Sequence, residues 1–452
     1  MILHTLLAKR FMSTAEVATT NVNVYQRFPF FYGWIIVIAG MIGSAFMVGT
    51  SVFSIGLYAE EMQAELGWTR AELFGALSLR LTAGALLSPF LGAISDRRGG
   101  ARIIMVAAAV LMGFSLAPLR WTDSLLVFYL VYGGLGAIAS AVLGSIMLGV
   151  VPKWFTRQRR KAIAIAASGG ALGPLVFPLL NAELISAFGW RDAWFVVGAL
   201  AIVLLVPLSF SVHRTPEDVG LLPDGDALDA QAGPRSRFGA EYSYTLREAL
   251  RTRSFWLLTM AFSFALMSMN SWQPSWVPYL IDAGFSLRVA STSVLAFGIF
   301  SFSGRFIWGP AAHRFPLNRL IIAQLGTTAI SLLLLLNIAN VPLLYVWSMI
   351  YGAATGGFWL LQPLTLANYF GARNLGAIRG FNQPFMAMAS GIAPISAALI
   401  FDSTESYVGV MAFAASTAAI GGTLGFLSRP PKPHMLKASL FEDGVPRSNN
   451  LP

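Results

Sequence analysis

Twelve long apolar segments restrict what this chain can fold into more than any other feature of its sequence. A helix that crosses a lipid bilayer needs about 20 mostly apolar residues. Hydrophobic residues make up 56% of the 452 positions and charged residues only 12%, about half the charged share of a soluble domain. The chain is therefore predicted to be an all-α membrane protein with twelve transmembrane helices. The predicted spans lie near 34–57, 71–95, 103–119, 124–150, 161–186, 192–212, 254–280, 288–312, 319–339, 342–369, 376–402 and 405–428.

One long polar segment divides the spans into two groups of six. It is rich in Asp, Pro, Gly and Arg, and it contains no apolar run. The first 30 residues also lack a continuous apolar stretch, so we do not expect them to be a cleaved signal peptide. The predicted regions are an N-terminal tail (1–30), a first six-helix bundle (31–212), a linker (213–250), a second six-helix bundle (251–428) and a C-terminal tail (429–452).

Lys and Arg residues are concentrated on one side of the predicted spans. Of the 31 such residues, 25 lie in the two tails and in alternate loops, whereas the opposite loops hold four. Loops rich in Lys and Arg stay in the cytoplasm. We therefore predict a multi-pass protein of the cell inner membrane with both termini and the linker in the cytoplasm. The net charge of +10 reflects this asymmetry, and no nucleic-acid partner is expected.

The two halves of the chain resemble each other at an offset of 217 positions. The pattern Gly92-x-x-x-Asp96-Arg97 followed by Arg102 returns as Gly309-x-x-x-His313-Arg314 followed by Arg319. Two related six-helix halves are typical of transporters that bind their substrate near mid-depth between the repeats. The repeat therefore predicts a pseudo-symmetric pair of bundles with a site between them.

These stretches carry a resemblance to a known family. GAISDRRGGAR (92–102) resembles the loop between spans two and three of the major facilitator superfamily. FYGW (31–34), VPKWFTRQRRKAIAIAASGGALG (151–173), FGWRDAW (188–194) and RTPEDVGLLPDG (214–225) resemble bacterial relatives of the monocarboxylate porters and oxalate/formate antiporters. The resemblance covers about residues 28–428. It implies rocker-switch alternating access, and it implies that Gly92, Asp96, Arg97 and Arg102 form a cytoplasmic gating motif.

Two arginines lie inside the predicted spans, Arg80 and Arg305. An arginine at the centre of a membrane helix costs roughly 2.5–3.5 kcal/mol, so each needs a compensating partner. Neighbours four positions away on each helix are mostly small and polar, which predicts that both arginines face the protein interior. No carboxylate lies at mid-membrane, so the predicted partner is a substrate carboxylate held by the guanidinium fork. The alternatives are snorkelling of Arg305 and interhelix hydrogen bonding of Arg80 to backbone.

The family resemblance supports the prediction for Arg305. Monocarboxylate porters and oxalate/formate antiporters carry a substrate-contacting arginine on span 8, in a stretch similar to Gly304-Arg305 here. The animal transporters have an aspartate four residues earlier, where this chain has Ser301. The family's lysines on spans 1 and 11 have no counterpart either, so strong proton coupling and oxalate itself are not implied. If both arginines contact the ligand, a dicarboxylate is favoured.

Polar and aromatic residues inside other spans are further candidates for substrate contact. Such residues cluster on interior faces, and pockets combine aromatic rings with a few polar groups. Helix packing or an interfacial aromatic belt is the alternative role for each. The candidates are Asn270, Gln273 and Trp276 on span 7, Trp359 and Gln362 on span 10, and Asn382 and Gln383 on span 11.

Several functions lack the residues that they need. The chain has no cysteine, its four histidines lie outside the predicted spans, and it has no phosphate-binding loop. We therefore expect no cofactor, no metal, no catalytic residue and no enzyme activity. The favoured function is transport of a small mono- or dicarboxylate by a monomer, with a coupling proton or a counter-anion. The alternative is an exporter of drugs or other hydrophobic compounds; a membrane sensor is disfavoured because the linker is short.

Overall fold

The computed structural model describes residues 30–95, 100–225, 243–338, 340–371 and 374–431. This part of the chain is helical and contains no β-strand. The first half comprises α1 (Gly33–Gly49), α2 (Val52–Leu66), α3 (Arg70–Ser95), α4 (Gly100–Phe114), α5 (Leu125–Phe128), α6 (Gly136–Gly149), α7 (Val151–Trp154) and α8 (Arg159–Phe210). The second half comprises α9 (Leu246–Leu250), α10 (Arg253–Trp272), α11 (Trp276–Asp282), α12 (Leu287–Arg314), α13 (Leu317–Leu334), α14 (Val341–Phe370), α15 (Leu375–Thr404) and α16 (Tyr407–Leu427).

Nine helices in the described residues are long and apolar enough to cross a membrane. One of them spans 50 residues and is interrupted at Gly189, where φ is +77° and the chain turns, so it supplies two spans. Helix α10 with α11, and helix α14, are also of spanning length but carry more polar and aromatic residues. Together these elements account for the predicted twelve spans, six on each side of the linker.

Three of the spans are broken where the sequence disfavours a continuous α-helix. Thr50 and Ser51 separate α1 from α2. A π-helical stretch, Tyr129–Leu135, lies between α5 and α6. The segment Gln273–Ser275, which contains Pro274, separates α10 from α11, because proline cannot donate the hydrogen bond that a helix interior requires. Each of these three breaks therefore lies inside a span and not at a helix end.

Small residues allow α1 and α8 to pack against each other at very short distance. A Cβ atom added at Gly169 would overlap the carbonyl oxygen of Met41, and one at Gly173 would lie 2.8 Å from the backbone nitrogen of Gly49. A Cβ at the neighbouring Gly170 would meet nothing within 4 Å. The Gly-x-x-x-Gly spacing, which is typical of close helix contacts, thus permits the short distance between α1 and α8.

We expect Gly169→Val to destabilise the first bundle by about 1–3 kcal/mol, because the added methyl groups must displace backbone. The matched substitution Gly170→Ala should be neutral or slightly stabilising, because alanine favours a helix interior more than glycine does. Thermal unfolding of the purified variants in detergent measures both effects. Equal midpoints for the two variants would contradict the close approach of α1 and α8.

The buried apolar residues form one cluster that crosses both halves and two that lie within the second half, the smaller of which joins α13 to α14. The first contains Phe53 of α2 together with Trp276 of α11 and Phe297 of α12. The second joins α10, α14 and α15 around Phe262 and Phe358. The halves therefore share a core over only part of their length.

The start of the linker packs against the loop that precedes α8. The carboxylate of Asp224 accepts hydrogen bonds from the backbone N–H groups of Thr156 (2.8 Å), Arg157 (2.7 Å) and Gln158 (3.3 Å). Partial burial by itself would raise the pKa of Asp224, but these N–H donors outweigh it and hold the pKa below the ordinary value. The ionised carboxylate is thus a specific anchor for residues 156–158.

Substitution of Asp224 by Asn should lower the free energy of unfolding by about 1 kcal/mol, or roughly 2–4 °C in thermal midpoint. Since the folded-state pKa is depressed, the wild-type anchor is fully present above the ordinary Asp pKa of about 3.9 and is lost as pH falls below it. The difference between the two proteins should therefore vanish in that acidic window. A difference that persists unchanged below pH 4 would contradict this role.

The predicted boundaries of tails, bundles and linker stay predictions. Residues 1–29, 226–242 and 432–452 lie outside the described residues, and so do Asp96 and Arg97 of the predicted gating motif. Gly92 lies near the end of α3. Arg102 is exposed near the start of α4, with its guanidinium carbon 5.4 Å from the centre of the Phe210 ring.

Candidate functional site

The halves are joined by a charged cluster at one end of the bundle, which we name the closed end. It holds the loops at 67–69, 283–286 and 405–406. The guanidinium of Arg70, in the first half, donates to Asp282 (2.8 Å) and to Tyr407, and it lies 4.0 Å from the centre of the Phe401 ring. Tyr407 also donates to Asp282 (2.7 Å). An arginine from one half is thus held by three side chains of the other.

Contacts between the halves continue from the closed end toward mid-depth. The rings of Phe53 and Phe297 lie 5.6 Å apart. Where α3 meets α15, the hydroxyl of Ser78 accepts a hydrogen bond from the backbone nitrogen of Ile395 (3.2 Å). Where α8 meets α12, a Cβ at Gly298 would lie 3.1 Å from the backbone nitrogen of Leu175.

Beyond these contacts, helices α3 and α15 diverge. Thr82 still touches Gly391 across the interface. One turn further along the same faces, Leu86 is 52% exposed and Met388 is 54% exposed. We call the resulting space between the halves the gap, and the end toward which it widens, with the loops at 155–158 and 315–316, the open end.

Arg305 lies on the helix face that looks into the gap. It follows Gly298 by seven residues, which is two helical turns, so it shares the face that contacts α8 nearer the closed end. Gly304 instead packs against Ala353 of α14. Arg305 is partly exposed, its Nε is shielded from solvent, and this Nε has no hydrogen-bond partner among the described residues. Its guanidinium carbon lies 5.8 Å from the centre of the Phe302 ring.

Trp359 lies within about one turn of the depth of Arg305 on the neighbouring helix. Helices α12 and α14 run parallel, with Ser301 against Gly356, Gly304 against Ala353 and Gly309 beside Leu360. These contacts place position 359 level with residues 304–310 of α12. Trp359 is 56% exposed and lies about 200° around α14 from Leu361, which packs on α13. The indole therefore points away from α13.

Ser168 lies on the first-half side of the gap, opposite Arg305. Ser168 precedes Leu175 by two turns and shares its face of α8. The antiparallel register that joins Gly298 to Leu175 places Ser168 at the depth of Arg305. Its hydroxyl donates to the carbonyl of Ile165 in the same helix (2.6 Å).

Arg80 is surrounded by protein partners. It is 1% exposed, and its guanidinium donates to the Thr50 carbonyl (3.2 Å), the Thr50 hydroxyl (3.0 Å) and the Ser140 hydroxyl (3.3 Å). It also lies 5.0 Å from the centre of the Tyr132 ring. These bonds join α3, α6 and the break after α1. They provide the interhelix role considered above, while substrate contact by Arg80 stays a prediction.

We expect Arg80→Met to destabilise the protein by roughly 2–4 kcal/mol, because buried groups that paired with a charged donor lose it. The apparent substrate affinity of the folded variant should stay within about threefold of wild type. Thermal unfolding and concentration-dependent uptake measure the two quantities. A large loss of affinity at an unchanged midpoint would instead assign Arg80 to the substrate.

The remaining predicted contacts are dispersed over the second half. Asn270 donates to Ser390 of α15 (3.0 Å), and Gln362 donates weakly to the sulfur of Met386 (3.9 Å). Trp276 is buried and donates to Ser293 (3.0 Å). Asn382 is 1% exposed, and both polar atoms of its side chain lack a partner among the described residues. Gln273 is partly exposed and Gln383 exposed.

Two residues of the candidate site are absent from the sequence-based prediction. The sequence places Arg70 only among the four cations of the opposite loops, because its partners lie far along the chain; Asp282, an acidic residue at the opposing helix end, is the available signal. The sequence places Ser168 only within the stretch 151–173 that carries the family resemblance. In the described residues, no group of three or more acidic or histidine side chains is arranged to hold a metal ion.

Comparison with known proteins matches this chain to membrane transporters. A family model described as Major Facilitator Superfamily matches residues 39–326 and 275–449. The chain is 23% identical to Monocarboxylate transporter 12 of Homo sapiens over 396 residues, 83% of this chain and 76% of the relative. It is 25% identical to the Aspyridones efflux protein apdF of Emericella nidulans over 340 residues, 74% of this chain and 64% of the relative. The crystal structure of a D-xylose-proton symporter aligns with a TM-score of 0.69 at 14% identity, covering 88% of this chain and 98% of that one.

Proposed function

Because this chain belongs to the Major Facilitator Superfamily and is an integral membrane transporter, we propose that it carries a small organic anion, a mono- or dicarboxylate, across the membrane. The observation that carries this proposal is Arg305, which faces the gap and whose Nε has no hydrogen-bond partner in the part of the chain that the structure describes. A guanidinium binds a carboxylate through two parallel hydrogen bonds. The similarity to a monocarboxylate transporter supports the same substrate class.

Trp359 narrows the proposal to carboxylates with an apolar body. Its exposed indole lies within about one turn of the depth of Arg305, and we infer that it faces the gap. An aromatic face binds apolar groups through burial of surface. We expect Arg305 to hold the carboxylate and Trp359 to contact the rest of the molecule. Branched, longer or aromatic acids should therefore bind more tightly than formate.

We propose a cycle of alternating access, which the difference between the two ends supports. In this proposal the Arg70 cluster keeps one end closed while the gap is accessible from the other. The positive-inside rule favours a cytoplasmic open end, so this would be the inward-facing state of the proposed cycle. When a carboxylate neutralises Arg305, the face of α8 around Ser168 can approach α12 with a lower desolvation cost. The open end would then close and the Arg70 cluster would separate. Symport and exchange both fit this mechanism.

Export of hydrophobic compounds is the second candidate function. The exposed Trp359 favours it, and so does the similarity to an efflux protein. A neutral hydrophobic cargo would use the aromatic surface and would leave Arg305 without a partner. The two functions therefore differ in whether a carboxylate is required.

Transport by proteoliposomes tests the proposal. The purified protein is reconstituted and offered labelled formate, pyruvate, lactate, benzoate and succinate, with protein-free liposomes as the control. We expect saturable movement of at least one carboxylate, with inhibition by the others in the order of their apolar area. Movement of neutral hydrophobic dyes without any carboxylate transport would replace this proposal by the exporter function.

A further inference from the structure

A cavity at the open end lies between the ends of three helices of the second half. Its volume is about 370 Å³, and it is lined by residues at the start of α10, at the start of α13 and at the end of α16. Arg253 and Arg429 are exposed at its mouth. Within the described residues, neither guanidinium is part of an ion pair. The cavity thus presents two positive groups that have no acidic partner.

Two hydrogen bonds hold the end of α16 against the starts of α10 and α13. Ser254 donates to the carbonyl of Arg429 (2.5 Å), and Asn318 donates to the carbonyl of Phe426 (3.1 Å). These bonds satisfy the two polar side chains of the cavity lining other than the arginines. The charge of the cavity therefore comes from Arg253 and Arg429, and its electrostatic preference is for an anion.

The wall of the cavity is apolar on the side that continues into the span. Leu257 lies one turn inside α10. Phe426 and Leu427 belong to the last turn of α16, and their side chains are 44% and 52% exposed. A soluble anion would gain nothing from these side chains. A phospholipid would place its phosphate between the arginines and its acyl chains along them.

We propose that this cavity is a binding site for the head group of an anionic phospholipid from the leaflet at the open end. Arg253 and Arg429 bind the phosphodiester, and the apolar wall contacts the upper acyl chain. The site is remote from Arg305 and does not depend on the identity of the transported substrate. It would couple lipid composition to the stability of the packing of α10, α13 and α16.

Lipid binding to the purified protein in neutral detergent tests the proposal. The probes are dioctanoylphosphatidylglycerol, dioctanoylphosphatidylcholine and inorganic phosphate, and bound molecules are counted by native mass spectrometry. We expect the anionic lipid to bind at least about tenfold more tightly than the other two. Each arginine near a membrane surface contributes about a fivefold effect, so Arg253→Gln with Arg429→Gln should weaken anionic lipid binding roughly 20-fold. Arg251→Gln, an exposed arginine outside the cavity lining, is the matched control and should change nothing.

Three results would overturn the assignment. Equal binding of the two lipids by wild type would remove the anion preference. Equally tight binding of inorganic phosphate would make the cavity a site for free anions. Unchanged anionic lipid binding in the double variant would place the lipid elsewhere. If the double variant does not fold, each single variant should bind the anionic lipid about fivefold more weakly than wild type. Unchanged binding in both single variants would also place the lipid elsewhere.

Discussion

Replacement of Arg305 by glutamine should lower carboxylate transport efficiency at least about 30-fold, with most of the loss in apparent affinity. The guanidinium faces the gap, and removal of one partner of a desolvated charged pair costs 2 kcal/mol or more. Arg305→Lys should retain part of the activity, because it keeps the charge but not the two-pronged geometry. Initial rates of carboxylate uptake over a range of concentrations provide the measurement.

Thermal stability separates this role from a structural one. The buried Nε of Arg305 has no hydrogen-bond partner in the described residues, and the guanidinium carbon lies 5.8 Å from the centre of the Phe302 ring. Arg305→Gln should therefore change the thermal midpoint little or raise it. Arg251→Gln is the control, because Arg251 is an exposed arginine between α9 and α10. Equal carboxylate uptake by wild type and Arg305→Gln would show that the substrate binds elsewhere.

Replacement of Arg70 by glutamine should increase the accessibility of residues behind the closed end about tenfold. The substitution removes a charged hydrogen bond to Asp282 and one to Tyr407, which are worth about 1.5 kcal/mol or more together. The chain has no cysteine, so Ser78→Cys introduces a single reporter behind the cluster. We expect a membrane-impermeant maleimide, added at the closed end, to label this cysteine about ten times faster in the Arg70 variant.

A second ion pair at the closed end supplies the control. Arg120 pairs with Asp192 (3.0 Å) within the first half, so Arg120→Gln should not alter labelling of the same cysteine. An exchange of the charges, Arg70→Asp with Asp282→Arg, should restore part of the slow labelling. Two results would show that the cluster does not close this end. One is labelling in the Arg120 variant that is as fast as expected for the Arg70 variant, and the other is a labelling rate in the Arg70 variant that equals that of wild type.

The sequence predicts the parts of this protein that depend on local pattern. Apolar segments of spanning length give the twelve helices, and Gly169-x-x-x-Gly173 gives the close approach of α1 and α8. Burial of Arg80 also follows from its position inside a span and from its small neighbours. Each of these features depends on residues that lie within one helix and are close together in the sequence.

The sequence does not predict the features that depend on how the halves are arranged. Arg70 bonds to Asp282 and Tyr407, which lie 212 and 337 positions away. Trp276 and Trp359 have the same predicted role, but Trp276 is buried in the core and Trp359 is exposed. Whether an aromatic residue of a span is buried or exposed depends on how its helix is aligned with the neighbouring helices. The same holds for Ser168, whose position opposite Arg305 follows from the contact of Gly298 with Leu175.

Protection of a cysteine at position 168 tests most directly whether a carboxylate occupies the gap beside Arg305. The variant Ser168→Cys is alkylated in proteoliposomes with and without a transported carboxylate, and Ser168→Cys with Arg305→Gln is treated in the same way. Our account predicts that the carboxylate slows alkylation at least several-fold in the first protein and has no effect in the second. An alkylation rate that the carboxylate leaves unchanged in the first protein, while transport continues, would contradict it.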